Sequence, residues 1–138
     1  MLRIILSVIA SALIGFFVIA FMETVSMEIV PPPADIEYMN PESVKENMDR
    51  IPIASFLLIW LSYIIGSFVA GGVTAVLCRE NQFIAAMFTG LLLTLGGIGN
   101  LYLIPHPFWF AVGTTLSYIP FALFGAIFGR NIKSKEII

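Results

Sequence analysis

The sequence predicts an all-α polytopic membrane protein: four transmembrane helices in one bundle, a short amphipathic helix on the outer side, and both termini inside. Three observations carry this. Of 138 residues, 59% are hydrophobic and 12% are charged, half the roughly 25% charge share of a water-facing domain. Mean hydropathy is +0.96, so most of the surface needs lipid around it rather than water. The apolar residues fall in four runs long enough to cross a bilayer, and the basic residues gather on one side of those runs. Residues 1–138 read as a single membrane domain.

The first span is residues 4–22, 19 residues without a charge. At 1.5 Å per residue it covers about 28 Å, close to the thickness of the hydrocarbon layer. It is longer than the apolar core of a signal peptide, and Glu23-Thr24-Val25-Ser26-Met27 makes a poor cleavage site, so the span is expected to be retained. The second span is residues 51–78, with Pro52 in the first turn, where its missing N–H would be unpaired anyway. The third is residues 83–104. The fourth is residues 108–129, closed by Gly129 and Arg130 and followed by a tail over 130–138. The links 79–82 and 105–107 are short enough to force the second, third and fourth spans into antiparallel neighbours.

Residues 23–50 join the first two spans. Pro31, Pro32 and Pro33 favour polyproline II and make a spacer or a docking strut. Asn40 as N-cap, Pro41 at the first position and Glu42 in the first turn start a helix over 41–50. Val44, Met48 and Ile51 fall on one stripe of it, with Lys45 and Asp49 on the other side. This helix is expected to lie on the membrane surface. Arg3, Arg79, Arg130, Lys133 and Lys135 flank the spans on one side, and only Lys45 and Arg50 on the other. The positive-inside rule places the larger set in the cytoplasm and the 23–50 loop outside. That loop carries seven acids and two bases, net −5. It lacks the carboxylate spacing of a calcium loop and reads as a solvated outer face.

Small residues recur every four positions. The first span has Ser7, Ser11 and Gly15. The second has Ser62, Gly66, Ala70 and Thr74 beside a second row of Ser67, Gly71 and Ala75. The third has Ala86, Gly90 and Thr94, and the fourth has Gly125 and Gly129. Such rows let helix backbones approach closely, which is how helices associate in lipid. Two adjacent rows place the second span at the centre of the bundle. A row left over would dock a partner or a second copy.

No Asp, Glu, Lys or Arg falls within the four runs, so neither a proton-coupled site nor a catalytic acid–base pair is legible. The single cysteine, Cys78, makes no internal disulfide, and the single histidine, His106, makes no paired-histidine metal site. Seven basic residues form no nucleic-acid patch. No catalytic residue, cofactor or metal is expected. Cys78 reads as an inert apolar cysteine or as a palmitoylation site.

Two polar groupings remain as candidates. Gly96-Gly97-Ile98-Gly99-Asn100 costs about 1 kcal/mol per glycine against alanine and predicts unwinding near the end of the third span. Counting helical rise, Asn100 comes level with Gly113, Thr114 and Thr115 and with Ser62 and Tyr63. Asn100, Thr114, Thr115, Ser62 and Tyr118 then form either a small pocket in the outer half or a polar clamp between helices. Pro120 is expected to kink the fourth span, with Ser117 compensating the lost backbone bond. The second grouping is the turn over 103–110, where His106 sits between two prolines and Trp109 and Tyr102 suit the membrane–water interface. His106 could titrate near neutral pH, ligate a metal with loop acids, or meet a quinone or lipid headgroup.

In Gly66-Ser67-Phe68-Val69-Ala70-Gly71-Gly72 and across residues 100–109 the chain resembles an uncharacterised family of small bacterial four-helix inner-membrane proteins, over nearly its whole length. The resemblance implies the inner membrane and this fold, and assigns no site. Small multidrug transporters share the span count, but their membrane-embedded glutamate has no counterpart in the first span as read here. The expected function is a non-enzymatic accessory or structural subunit, with the lipid bilayer and a membrane-protein partner or a second copy around it. The alternatives are an oligomeric small-solute channel or transporter using the Asn100 region, and a membrane enzyme using His106.

Overall fold

The computed structural model describes residues 1–78 and 80–135, with side chains through Ile132. Arg79 and the side chains of Lys133 and Lys135, which entered the orientation count, lie outside the described residues. Among the described residues five α-helices follow in order: α1 Leu2–Ile29, α2 Pro41–Glu46, α3 Ile53–Leu77, α4 Gln82–Leu103 and α5 Phe108–Lys135, with a 3-10 turn Met48–Arg50 after α2. Four of them, α1, α3, α4 and α5, are long and apolar enough to span a membrane. The chain is all-α, with no strand among the described residues, and has the make-up of a multi-pass membrane protein. Four antiparallel spans put residues 30–52 and the 104–107 turn together at one end of the bundle, here the loop end. The N-terminus, the link after α3 and the end of α5 share the other.

Three of the long helices depart from their expected courses. Helix α1 runs seven residues past Met22. Nothing between Glu23 and Ile29 breaks a helix, and the turn out comes at Val30 (φ −125°, ψ 84°), because a residue before proline is pushed out of the helical region. Helix α4 stays helical across Gly96 to Asn100 rather than unwinding. The Phe16 ring occupies the space a Cβ would take on Gly96, and the Tyr118 ring that on Gly97, so packing offsets the weak helix propensity. Helix α5 continues through Pro120 and past Gly129 to Lys135. The Ser117 hydroxyl donates to the Gly113 carbonyl at 2.7 Å and accepts the Trp60 indole N–H at 2.9 Å, so its bonds go elsewhere than the carbonyl orphaned by Pro120.

Helix α2 begins as its sequence dictates. The Asn40 side chain accepts the Glu42 N–H at 3.1 Å and Pro41 fills the first turn. The helix is shorter than 41–50, and its apolar stripe points inward. Val44 and Ile51 are buried and Met48 is half-buried, joining Ile36, Tyr38, Phe56, Ile59 and Ile104 in one cluster. The 30–52 segment is therefore a cap over the loop end of the bundle. Arg50 clasps it with a two-pronged ion pair to Asp35 at 2.7 and 3.0 Å.

Below the cap, α3 touches α1, α4 and α5, while α1 and α5 lie diagonally apart. Its two small-residue rows serve two neighbours. Gly66 and Ala70 face α1, where a Cβ on Gly15 would stand 2.8 Å from the Ala70 Cβ. Gly71 meets the backbone of Ala122 on α5, Gly125 meets the Phe68 carbonyl, and Gly129 meets Gly72. On α4, a Cβ at Gly90 would stand 2.9 Å from the Ile119 Cα. The hydroxyls of Thr74 and Thr89 join α3 to α4 at 2.8 Å. Gly15, Gly66, Gly71, Gly90, Gly125 and Gly129 of these rows thus pack helix on helix within the chain.

Candidate functional site

The buried face of α1 runs Val8, Ala12, Gly15, Ile19 and Ser26, a spacing of three and four that includes position 23. Glu23 therefore projects into the bundle, with the residues of a lipid-facing stripe on the other side of the helix. Its carboxylate lies in interaction range of the Tyr63 hydroxyl of α3 and close to Tyr118 of α5. Tyr63 accepts the side-chain amide of Asn100 on α4 at 3.3 Å and stacks on Tyr118, ring centroids 5.6 Å apart. One turn nearer the loop end, Ser26 and Ser62 bring their hydroxyls to 3.3 Å. Each of the four long helices thus sends a polar side chain to one level.

Glu23, Ser26, Tyr63 and Asn100 of this cluster line a cavity of about 180 Å³. Glu23, Tyr63 and Asn100 line its depth, Ser55, Phe56 and Ile59 its wall, and Tyr38, Val44 and His106 the side under the cap. Among the described residues no Lys or Arg lines it. The Tyr38 and Ser55 hydroxyls are buried with no hydrogen-bond partner. Buried polar atoms are nearly always paired, by protein or by ordered water, so two unpaired hydroxyls on lining residues mark a polar side of the cavity. Burial raises the Tyr38 pKa above the ordinary phenol value, so this hydroxyl keeps its proton at neutral pH.

His106 is fixed by its own turn. Its Nδ1 lies 2.6 Å from the Ile104 carbonyl. A carbonyl only accepts, so Nδ1 carries the hydrogen and Nε2 is the bare nitrogen of the neutral ring. The ring stacks on Phe110 with centroids 4.9 Å apart. Burial pushes its pKa down, against a smaller opposing pull from the Ile104 carbonyl. Trp109 is exposed and lies outside the cavity lining, packed edge-on against Phe56 at 6.1 Å.

Of the five residues expected to form a pocket, only Asn100 lines the cavity. Ser62 is committed to Ser26 and the Leu58 carbonyl. Tyr118 stands behind Tyr63. Thr114 bonds the Phe110 and Ala111 carbonyls of its own helix, and Thr115 is absent from the lining. The level expected for α5 is taken instead by α1, whose extra two turns carry Glu23 and Ser26 inward. Sequence reading missed Glu23, Tyr38 and Ser55. The signal for Glu23 was there in the i, i+4, i+7 series Ile19, Glu23, Ser26 and the lack of any helix breaker before Pro31. Among the described residues no three His, Cys, Asp or Glu side chains converge as a metal site; of the acids over residues 23–50, Glu23 alone lines the cavity together with His106. Cys78 is buried beside Val8, Ala85 and Ile4. In comparison with known proteins, the chain matches no family model, no curated protein and no solved structure.

Proposed function

We propose that the chain is a multi-pass membrane protein that binds a small solute beneath its loop cap, as a carrier or channel subunit, with Glu23 as the recognition group. The observation that carries this reading is a carboxylate on a spanning helix, turned into a cavity that holds no Lys or Arg among the described residues. Taking a carboxylate out of water costs several kcal/mol unless it gains a proton or a cation. A mere clamp between helices does not need one. The pairs Ser26–Ser62 and Thr74–Thr89 hold helices together in the same bundle with neutral hydroxyls.

An accessory-subunit role leaned on two premises, a lack of ionisable groups inside the spans and a surplus of small-residue rows. Glu23 removes the first, and the use of Gly66, Ala70, Gly71, Gly90, Gly125 and Gly129 within the chain removes the second. The excess of Lys and Arg at the other end supports a loop end facing away from the cytoplasm, with both termini cytoplasmic. The resemblance to small bacterial proteins supports the inner membrane. On that orientation the cavity collects its solute from outside.

The test is a thermal-shift screen of the detergent-purified chain against small cations, anions and neutral solutes. A solute that stabilises the wild type and not Glu23→Gln is the expected outcome. If no solute shifts the melt, and one stoichiometric membrane partner is recovered with the chain from native nanodiscs, the accessory role returns.

A further inference from the structure

We infer that the ligand of the cavity is a small organic ammonium ion, its charge on Glu23 and its carbon body against the Phe56 wall; this rests on the reading that the cavity binds a solute. Charge sets the sign. Among the described residues Glu23 is the one carboxylate in the lining, with no Lys or Arg beside it, so the cavity selects a single positive charge.

Coordination excludes the simplest cations of higher charge. Calcium takes six to eight oxygens and magnesium a strict octahedron, usually with more than one carboxylate. Here one carboxylate stands among mostly apolar side chains, and no three metal-ligating residues converge among the described residues. Met27, Val30, Val44, Ile51, Phe56 and Ile59 present carbon, which a hydrated metal ion does not match and an alkyl body does.

Size sets the scale. The cavity volume of about 180 Å³ slightly exceeds the ~150 Å³ that holds a benzene molecule, which points to a body of roughly six to eight non-hydrogen atoms. The remaining polar groups match the head of such an ion. Ser55 and Tyr38 line the same space and their hydroxyls are unpaired, so a turn of either side chain would let it accept an N–H or a hydroxyl of the ligand. The rings of Tyr38, Phe56 and Tyr63 line the same space and offer π faces to a cation.

The experiment is calorimetric titration of the purified full chain, in nanodiscs, with hexylammonium and choline, and with 3,3-dimethylbutan-1-ol as the uncharged counterpart of choline. Calcium, magnesium and acetate complete the set. The expected result is binding of an ammonium compound, at least about ten-fold weaker binding of the alcohol, and a loss of about ten-fold or more in Glu23→Gln, the scale of one charge-assisted hydrogen bond. Ile59→Trp, which fills the cavity from a different helix, should abolish binding while the melt shows a folded chain. If the alcohol, acetate or a metal binds as well as the ammonium compounds and Ile59→Trp abolishes it, the solute cavity stands and the ammonium class is overturned. If nothing in the set binds, or Ile59→Trp leaves binding unchanged, the ammonium assignment is overturned and the solute-binding reading falls with it.

Discussion

Asn100 on α4 donates its side-chain amide to the Tyr63 hydroxyl on α3 at 3.3 Å, and that hydroxyl in turn faces Glu23 on α1. A phenol has one hydrogen, and with Asn100 donating to its oxygen that hydrogen is still available to a further acceptor. Amide and hydroxyl thus tie α4 to α3 beside the α1 carboxylate, and loss of the amide should be felt there.

Asn100→Leu removes the amide and leaves Tyr63 without its donor. The expected cost is about 1 kcal/mol, the usual net value of one hydrogen bond, read as a lower melting temperature in detergent. Ligand affinity should fall as well, because Tyr63 is then free to turn away from Glu23. An unchanged melt would mean that stacking on Tyr118 alone holds Tyr63 in place.

Two glycines should respond in opposite directions. A Cβ on Gly125 would press into the Phe68 carbonyl group, 2.8 Å from its carbon, and stand 3.0 Å from the Gly72 nitrogen. Gly125→Ala should cost about 1–3 kcal/mol as α3 and α5 are forced apart. Gly99 has nothing within 4 Å of the same position, so Gly99→Ala should be neutral or stabilise by up to about 1 kcal/mol through helix propensity. Melts of the two variants, side by side, check the pair.

His106 predicts an acid limb in stability. Burial holds its pKa below the ordinary value near 6.5, so on acidification the unfolded chain takes up a proton before the folded one does. Stability from this group is complete above about pH 6.5 and declines as pH falls from there towards the depressed pKa. Melts at pH 7.5 and 5.5 should differ less in His106→Gln than in the wild type. An equal difference would assign the acid limb to other groups.

The clasp between Asp35 and Arg50 should matter to the cap more than to the bundle. The Arg50 guanidinium holds the Asp35 carboxyl below its usual range, so the pair is whole at neutral pH and opens as pH falls through that lowered value. Both side chains are exposed, and exposed pairs add little to global stability. Asp35→Asn should leave the melting temperature nearly unchanged and speed protease cleavage within residues 30–52. Unchanged cleavage would show that Val44 and Ile36 hold the cap unaided.

The four spans, their antiparallel order and the Asn40 cap were legible because each rests on a local signal: an apolar run, a short link, a side chain two residues from its target. The inner edge of the site was not. Hydropathy ends a span at its first charge, whereas the α1 backbone ends it only where Pro31 forces Val30 out of the helix. That difference hid Glu23. The glycines of α4 misled in the opposite sense, since propensity counts their cost and not the Phe16 and Tyr118 rings they admit. Tyr38 and Ser55 belong to the cavity only through the fold of the cap, which no spacing in the sequence announces.

Both tryptophans of the chain stand in the loop-end half. Trp60 is anchored on Ser117 and lies 6.4 Å from Trp109, which in turn abuts the cavity-wall ring of Phe56 at 6.1 Å. The half locked by Gly125 and Gly129 has no indole at all among its described residues. Excited in the indole band, the unlabelled protein therefore emits from one end only. Filling of the cavity or lifting of the cap will register as a shift in colour or brightness, while rearrangement at the opposite end stays dark.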